Sequence, residues 1–377
     1  MVMEGVFSCY ASAAFGLEGL VAAELRKLGL TGVKAENGGV RFSASGEELY
    51  LCNLKLHFCD RVFIIAAERK CYSFEDLFQL VSSVPWQDFA DGSESFDISA
   101  KCARSKLMSS RDCQAITKKA IIEKLRKTLK INVFTEKGAS LPILVSIHTD
   151  QVKILINTSG ESLSRRGYRT WNGEAPLRET LAAALVELSP WKYDLPLYDP
   201  CCGTGTILIE AAFMATGRAP GLNRTFAMNR FCFFRHLPFG TVYHRVCREF
   251  HPEEVISVRG SDIDPQAVEL SGRHIRQAGM EKLLQVSTLP LQRLSMEDSR
   301  GVFICNPPYG ERLSDQKTCR LLYHDLHTLK DQCRSWSMCV LFPIRLSKEV
   351  SEKRLTGKEG FITDDWNVLI IFMNDRA

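Results

Sequence analysis

Apolar and polar positions divide this chain into three stretches with different periodicities. From Val6 to about Leu56, the pattern predicts a strand (Val6 to Ser12) and an amphipathic helix (Leu17 to Leu28). Two short strands around Asn37-Gly38-Gly39 follow, then a second helix beginning near Ser45. Asn37-Gly38 is a hairpin signal, because both turn positions favour residues that tolerate positive φ. From about 57 to 165, strand-like runs such as Val62 to Ala66, Ser95 to Ala100, Ile143 to His148 and Lys153 to Asn157 alternate with helices. From about 170 to 377, short unbroken apolar runs, Leu195 to Tyr198 and Val302 to Cys305, read as buried parallel strands. The domain expectation is therefore 1–56, 57–165 and 170–377, with Arg165 to Gly173 as connector.

Each apolar run of the third stretch ends in a segment that carries chemistry. Asp199-Pro200-Cys201-Cys202-Gly203-Thr204-Gly205-Thr206 follows the first run. Gly203 and Gly205 allow the backbone a ligand approach that side chains would block, and a helix over Thr206 to Ala215 would turn its free N–H groups toward that ligand. A further strand, Val255 to Val258, leads to Asp262, placed where a Rossmann-type sheet holds a ribose diol. So far a nicotinamide dinucleotide fits as well as any other nucleoside cofactor.

Asn306-Pro307-Pro308-Tyr309, after the second run, favours methyl transfer to an exocyclic amine. Such an amine is a poor nucleophile, since its lone pair is delocalised into the ring, and its hydrogens need fixed acceptors that turn the lone pair toward the methyl donor. Asn306 Oδ1 and the Pro307 carbonyl can be those acceptors, with the prolines pre-setting an extended backbone. Tyr309 offers a flat face for a base.

Charge is separated by segment, although the net charge is only +4. Residues 71 to 97 carry six acids and no Lys or Arg, whereas 98 to 137 carry eleven bases and three acids. A helix over Arg111 to Lys130 would place Ile121, Ile122, Leu125 and Leu129 on one side. Lys119, Arg126, Lys127 and Lys130 fall on the other, as a phosphate track or an ordinary solvated face. Lys101, Arg104, Lys106 and Arg111 precede or open this helix, where several cations and helix N–H groups can meet one phosphate. Arg165, Arg166 and Arg169 make the connector basic, and Tyr168 and Trp171 add rings. That mixture can bind RNA or steady a domain interface.

Composition narrows the class without naming it. With 45% apolar and 24% charged residues the chain is globular rather than disordered. It has no run of membrane-spanning length and no signal-peptide pattern, so the cytoplasm is expected. The 14 cysteines include no Cys-x-x-Cys pair and lie mainly in apolar runs, which argues for small hydrophobes rather than disulfides or metal ligands. Cys201 and Cys202 read as packing, and Trp191 as core. No histidine sits at a motif, and loss of an aminium proton does not require a dedicated base.

These motifs resemble the bacterial THUMP-domain methyltransferases that modify guanosine N2 in 23S ribosomal RNA. The most specific pieces are Asp199 to Ala212, Asn306 to Arg312, Arg166-Gly167-Tyr168-Arg169 and Ala175 to Thr180. The resemblance extends upstream to Phe96 through Cys102 and Ile116 through Ala120. It implies an α/β fold: a Rossmann-like doubly wound methyltransferase domain preceded by a ferredoxin-like segment and a THUMP α+β RNA-binding region. It implies S-adenosylmethionine as cofactor, RNA as partner (23S rRNA first, tRNA second), and no metal or membrane. Asn306, Pro307, Pro308 and Tyr309 would hold a flipped guanine. Asp199, Cys201, Gly203, Thr204 and Gly205, with Asp262, Ile263 and Asn306, would face the donor. Lys101, Arg104, Lys106, Lys118, Lys119, Arg166 and Arg169 would contact RNA.

Two departures from the family pattern stand out. Ser287-Thr288-Leu289-Pro290 replaces the acid of a third donor contact. The insertion from Gly217 to Phe250 continues as Phe231-Cys232-Phe233-Phe234-Arg235-His236, either a substrate-facing flap or packing. Other readings are a DNA adenine-N6 or release-factor glutamine methyltransferase, which share the Asn-Pro-Pro-Tyr loop, and a ribosome assembly factor whose catalysis has lapsed. The basic THUMP-like region argues against the first two, and the intact glycine turn and Asn306 against the third.

Overall fold

A computed structural model describes residues 5–131, 134, 137–169, 177–252, 256–308, 316–343 and 368–373. The chain forms two compact units: residues 1–13, 21–163 and 225–244 make the first, and residues 14–20, 164–224 and 245–377 the second. Among the described residues no helix is long and apolar enough to cross a membrane.

The first unit is built on one seven-stranded sheet ordered β2-β3-β1-β4-β7-β6-β5. Its strands are β1 (Phe7–Ala13), β2 (Thr31–Glu36), β3 (Gly39–Ala44), β4 (Cys59–Lys70), β5 (Ser95–Ala103), β6 (Ser140–His148) and β7 (Gln151–Asn157). The hairpin expected at Asn37-Gly38 joins β2 to β3, with Glu36 opposite Gly39 and Gly38 at φ +81°. Gly39 is required for a different reason: a Cβ there would lie 2.3 Å from the Ala11 carbonyl oxygen of β1. Helix α1 (Glu18–Lys27) follows β1. The helix expected near Ser45 is α2 (Gly46–Lys55); Ser45 caps it reciprocally with Glu48, each side chain accepting the other's backbone N–H. Helices α3 (Phe74–Ser83) and α4 (Ser110–Leu129) belong to the same unit.

β4 runs for 12 residues and pairs with both β1 and β7, so the first two sequence blocks share a single sheet. Helix α4 buries Cys113, Thr117, Ala120, Ile121 and Leu125, while Lys119, Arg126, Lys127 and Lys130 are exposed. Its apolar stripe is rotated from the expected one, leaving Ile122 and Leu129 only partly covered.

The insertion's Phe-rich stretch packs into this unit. Phe231, Phe233 and Phe234 are buried; Phe234 meets Phe7 edge-on at 5.6 Å and Phe233 meets Phe89 at 5.3 Å. The Met228 N–H donates to the Thr158 carbonyl at 3.0 Å. Of the two readings left open by the sequence, packing describes these rings.

The second unit carries a six-stranded sheet ordered β10-β9-β8-β11-β12-β13. Its strands are β8 (Leu197–Asp199), β9 (Val258–Asp262), β10 (Leu284–Thr288), β11 (Gly301–Cys305), β12 (Trp336–Pro343) and β13 (Val368–Met373). All pair in parallel except β13, which is antiparallel to β12. Counted from β8, the spatial order is 3-2-1-4-5-6, the doubly wound arrangement expected from the resemblance. The helices are α5 (Glu179–Leu188), α6 (Thr206–Ala215), α8 (Pro265–Gln277) and α9 (Gln316–Gln332); of α7 (Phe239–Cys247), residues up to 244 belong to the first unit. β9 lies later than the apolar run suggested, because Gly260 lets the strand continue through polar residues. A Cβ at Gly260 would lie 2.8 Å from Leu208 and 2.9 Å from Cys202. Phe303 stacked on Trp336 at 4.5 Å anchors the core beneath β11 and β12.

Candidate active site

The sheet order reverses between β8 and β11, and in open parallel sheets ligands bind outside the carboxyl ends of strands at such a switch point. Asp199 ends β8 and Asn306 follows β11, so both motifs emerge at that edge on neighbouring strands. Asn306 is half-buried, Pro307 buried and Pro308 exposed. Tyr309, Glu311, Arg312 and Trp171 lie outside the described residues.

Backbone and side chains lock the glycine turn from several sides. Asp199 is 1% exposed, and its Oδ1 accepts the Cys201 N–H at 3.0 Å; burial nonetheless pushes its carboxyl well above the usual Asp range, and the Asp262 charge adds to this. The Cys202 N–H donates to the Ser261 carbonyl at 2.9 Å. Asp262, at the end of β9, accepts the Gly203 N–H on Oδ2 (2.8 Å) and the Asp264 N–H on Oδ1 (3.0 Å). Each oxygen retains a lone pair that can accept from a hydroxyl. Gly203 (φ +50°) has no atom within 4 Å of where a Cβ would sit, so this side of the turn is open. Gly205 (φ +81°) caps α6 in the left-handed region, and a Cβ there would lie 2.3 Å from Ser271 Oγ of α8. Thr204 is half-buried, and its carbonyl lies 3.2 Å from His274 Nδ1 of α8. Ile263, beside Asp262, is 69% exposed, a large apolar side chain left open at a strand end.

The thiols at this edge are chemically quiet. Burial drives Cys201, Cys202 and Cys305 far above the ordinary thiol range, and for the first two the Asp199 and Asp262 charges add to it. They pack as small hydrophobes.

Placement corrects the expectation for the connector arginines. Arg166 is 2% exposed and paired with fully buried Glu210 of α6, Nε to Oε1 at 3.3 Å and Nη2 to Oε2 at 3.2 Å. Burial opposes its charge, but the charge and hydrogen bonds of Glu210, with Glu179 and Tyr168 adding to them, hold the guanidinium above its usual value. The Tyr168 hydroxyl donates to the same Oε1 at 3.2 Å. Arg169 pairs with Glu179 of α5 at 3.2 Å and donates to Thr206 Oγ1 and the Leu177 carbonyl. Both cations are committed inside this unit rather than presented to phosphate. They tie α5 and the first turns of α6 together behind the glycine turn. Sequence reasoning missed Glu179 and Glu210 as their partners, and His274 as the neighbour of the Thr204 carbonyl. For Glu210 the signal was there: a carboxylate amid Ile207-Leu208-Ile209 and Ala211-Ala212-Phe213 has no solvent face to occupy and must be paired.

The other basic candidates lie on the first unit. Lys101, Arg104, Lys106 and Lys119 are exposed and Lys118 is half-buried; Lys119 sits 3.8 Å from Glu123 along α4. In the same unit Asp91, Glu94 and Cys232 bring ligand-type atoms within 4.8 Å of one another. Glu94 there accepts the Asp91 and Gly92 N–H groups, Asp91 faces Arg235, and burial and Glu94 push the Cys232 thiol up to about 12. This arrangement closes a loop.

Comparison with known proteins agrees with this architecture. The RMKL-like methyltransferase domain matches residues 166–358, the RlmL ferredoxin-like domain 8–63 and the THUMP domain 71–157. YpsC of Bacillus subtilis (strain 168), a candidate RNA methyltransferase, is 34% identical over 368 residues, 96% of this chain and 95% of its own. Ribosomal RNA large subunit methyltransferase K/L of Vibrio cholerae serotype O1 is 33% identical over 330 residues, 82% of this chain; the match spans only 44% of that longer protein. The crystal structure of SMU.472, a candidate methyltransferase in complex with SAH, superposes with a TM-score of 0.92 at 33% identity, covering 100% of both chains. The region that carries the glycine turn, the buried Arg166–Glu210 pair and Asn306-Pro307-Pro308 thus lies within one matched domain, and the chain belongs to the RMKL-like methyltransferase family.

Proposed function

We propose that this chain is an S-adenosylmethionine-dependent RNA methyltransferase that forms N2-methylguanosine in large-subunit ribosomal RNA. The observation that carries the reading is the arrival of Asp199 and Asn306 on neighbouring parallel strands, β8 and β11, at the switch point of the sheet. The open side of Gly203, the half-buried Asp262 carboxylate and exposed Ile263 fit an adenosine: a backbone approach, an acceptor for a diol and an apolar surface for a flat base. The donor supplies a methyl group activated on a sulfonium.

The protein's work is then to orient the acceptor amine. Asn306 Oδ1 and the Pro307 carbonyl accept its two hydrogens, so the lone pair points along the line of transfer, and Tyr309 stacks the base. Asp199, Cys201, Thr204 and Gly205 shape the turn facing the donor. Lys101, Arg104, Lys106, Lys118 and Lys119 of the THUMP-containing unit bind phosphates. The relatives' names and that basic surface support an RNA substrate.

The test is transfer of labelled methyl from S-adenosylmethionine to ribosomal RNA, transfer RNA and duplex DNA, followed by nucleoside analysis. Labelled N2-methylguanosine in large-subunit RNA is the expected product. Label in transfer RNA keeps the chemistry and changes the substrate, and label in DNA adenine overturns the reading.

A further inference from the structure

One corner of the first unit combines an exposed ring, an exposed cationic loop and a tight hairpin turn. Four non-glycine residues among those described have positive φ; Lys130 ends α4, and the other three, Arg104 (49°), Thr149 (50°) and Asp150 (62°), lie together. The Thr149 N–H donates to the Ala103 carbonyl at 3.2 Å, and the Cys71 N–H to the Asp150 carbonyl at 2.9 Å. Asp150 Oδ1 accepts the Ser105 hydroxyl (2.8 Å) and the Lys106 N–H (2.9 Å). The β6–β7 turn therefore holds the loop after β5 against the start of α3. Positive φ at both Thr149 and Asp150 makes the two-residue hairpin turn between His148 and its partner Gln151, and this turn fixes the corner.

What the corner presents is Tyr72. Its side chain is 50% exposed, and Lys106 Nζ lies 5.2 Å from the ring centroid. Met108 (66%) and Phe74 (38%) are exposed in the same two segments. The Tyr72 backbone is fixed, its N–H donating to Asp76 Oδ2 at 2.9 Å, and buried Leu107 anchors the opposite loop. The acids here, Asp76 and Asp150, each direct a carboxylate oxygen at two donors of the protein. The Lys106 N–H and the Ser105 hydroxyl, with the nearby Lys106 and Lys70 charges, hold the Asp150 carboxyl below the usual range.

We propose that Tyr72 is a stacking platform for the base of an unpaired ribonucleotide, with Lys106 and Arg104 taking the adjoining phosphates. This rests on the reading that the chain acts on RNA, and adds that the first unit grips a single-stranded element. A half-exposed ring with a neighbouring cation is the pairing that single-strand binders use: stacking on a π face is available for every base, and the cation follows the backbone. Duplex RNA keeps its bases in the stack and offers this ring nothing.

Fluorescence anisotropy with a labelled single-stranded oligoribonucleotide of mixed sequence, and with the same sequence annealed as a duplex, tests this over a series of salt concentrations. Tyr72→Ala should weaken single-strand binding about tenfold or more, while leaving duplex binding and the slope of log Kd against log salt unchanged, because stacking releases no counterion. Tyr72→Phe should restore binding. Replacing Lys101, Arg104 and Lys106 by Gln should instead flatten the salt slope. Unchanged single-strand affinity in Tyr72→Ala, or an equal loss for duplex, overturns the platform while leaving RNA action intact. A wild-type protein that binds neither probe overturns the RNA reading and the platform with it.

Discussion

Replacing Arg166 by Met tests whether the buried pair behind the glycine turn is structural. The substitution leaves Glu210, 0% exposed, with one remaining described side-chain donor, the Tyr168 hydroxyl at 3.2 Å. An uncompensated buried carboxylate costs about 3–5 kcal/mol when its partner is removed. Removing both charges in Arg166→Met/Glu210→Leu eliminates that penalty and leaves the Tyr168 hydroxyl short of an acceptor, about 1–3 kcal/mol. Adding Tyr168→Phe should return stability to within about 1 kcal/mol of wild type, since apolar replacement of a whole buried polar set is often neutral. The single variant is therefore expected to be less stable than the double, and the double less stable than the triple. Urea unfolding, with extrapolated free energies compared at constant slope, gives the series. A cost below about 1 kcal/mol for Arg166→Met, or a double variant as costly as the sum of its singles, would refute the argument.

Other expectations concern the site itself. Asn306→Ala should lower methyl transfer by about a hundredfold or more with S-adenosylhomocysteine affinity nearly unchanged, whereas Asp262→Ala should lower that affinity about tenfold or more, the Gly203 N–H losing a charged acceptor. Transfer rates and calorimetric titration separate the two, and equal loss of both functions in either variant contradicts the division of labour. Asp199 gives a pH signature: its carboxyl is raised in the folded state by burial, so its contribution is fully present below the ordinary Asp value and is lost as pH rises through the folded value. Asp199→Asn should lack that decline, and parallel stability profiles for the two proteins from weakly acidic to neutral pH would sink the assignment.

Much of the fold was legible because local signals and tertiary need coincide. Asn37-Gly38 makes the β2–β3 hairpin, Ser45 and Glu48 box the start of α2, and the glycine turn opens α6 where expected. Reading failed where a partner distant in sequence decides. β9 runs through Arg259, Gly260 and Ser261 because its neighbours on both sides are strands. Arg166 and Arg169 look like surface cations until Glu210 and Glu179, from two other helices, cover them. Tyr72 was passed over because nothing local marks it; only the return of residues 149 and 150 brings Lys106 above its ring. The candidate motifs were easier to find than their supports, since the motifs are contiguous in sequence and the residues behind them are not.

Residues 225–244 have a consequence for how this protein comes into being. The ribosome releases the first 163 residues long before Phe231, Phe233 and Phe234 exist, yet Phe7 and Phe89 rest against two of those rings. At elongation rates of about 5–20 residues per second, the roughly eighty residues still to come take about 4–16 s. During that interval the nascent amino-terminal part holds an apolar surface that it cannot yet cover. A truncated chain ending near Leu163 would keep that surface permanently, so the amino-terminal unit should be handled as something finished from within a later stretch of the chain rather than as a detachable module.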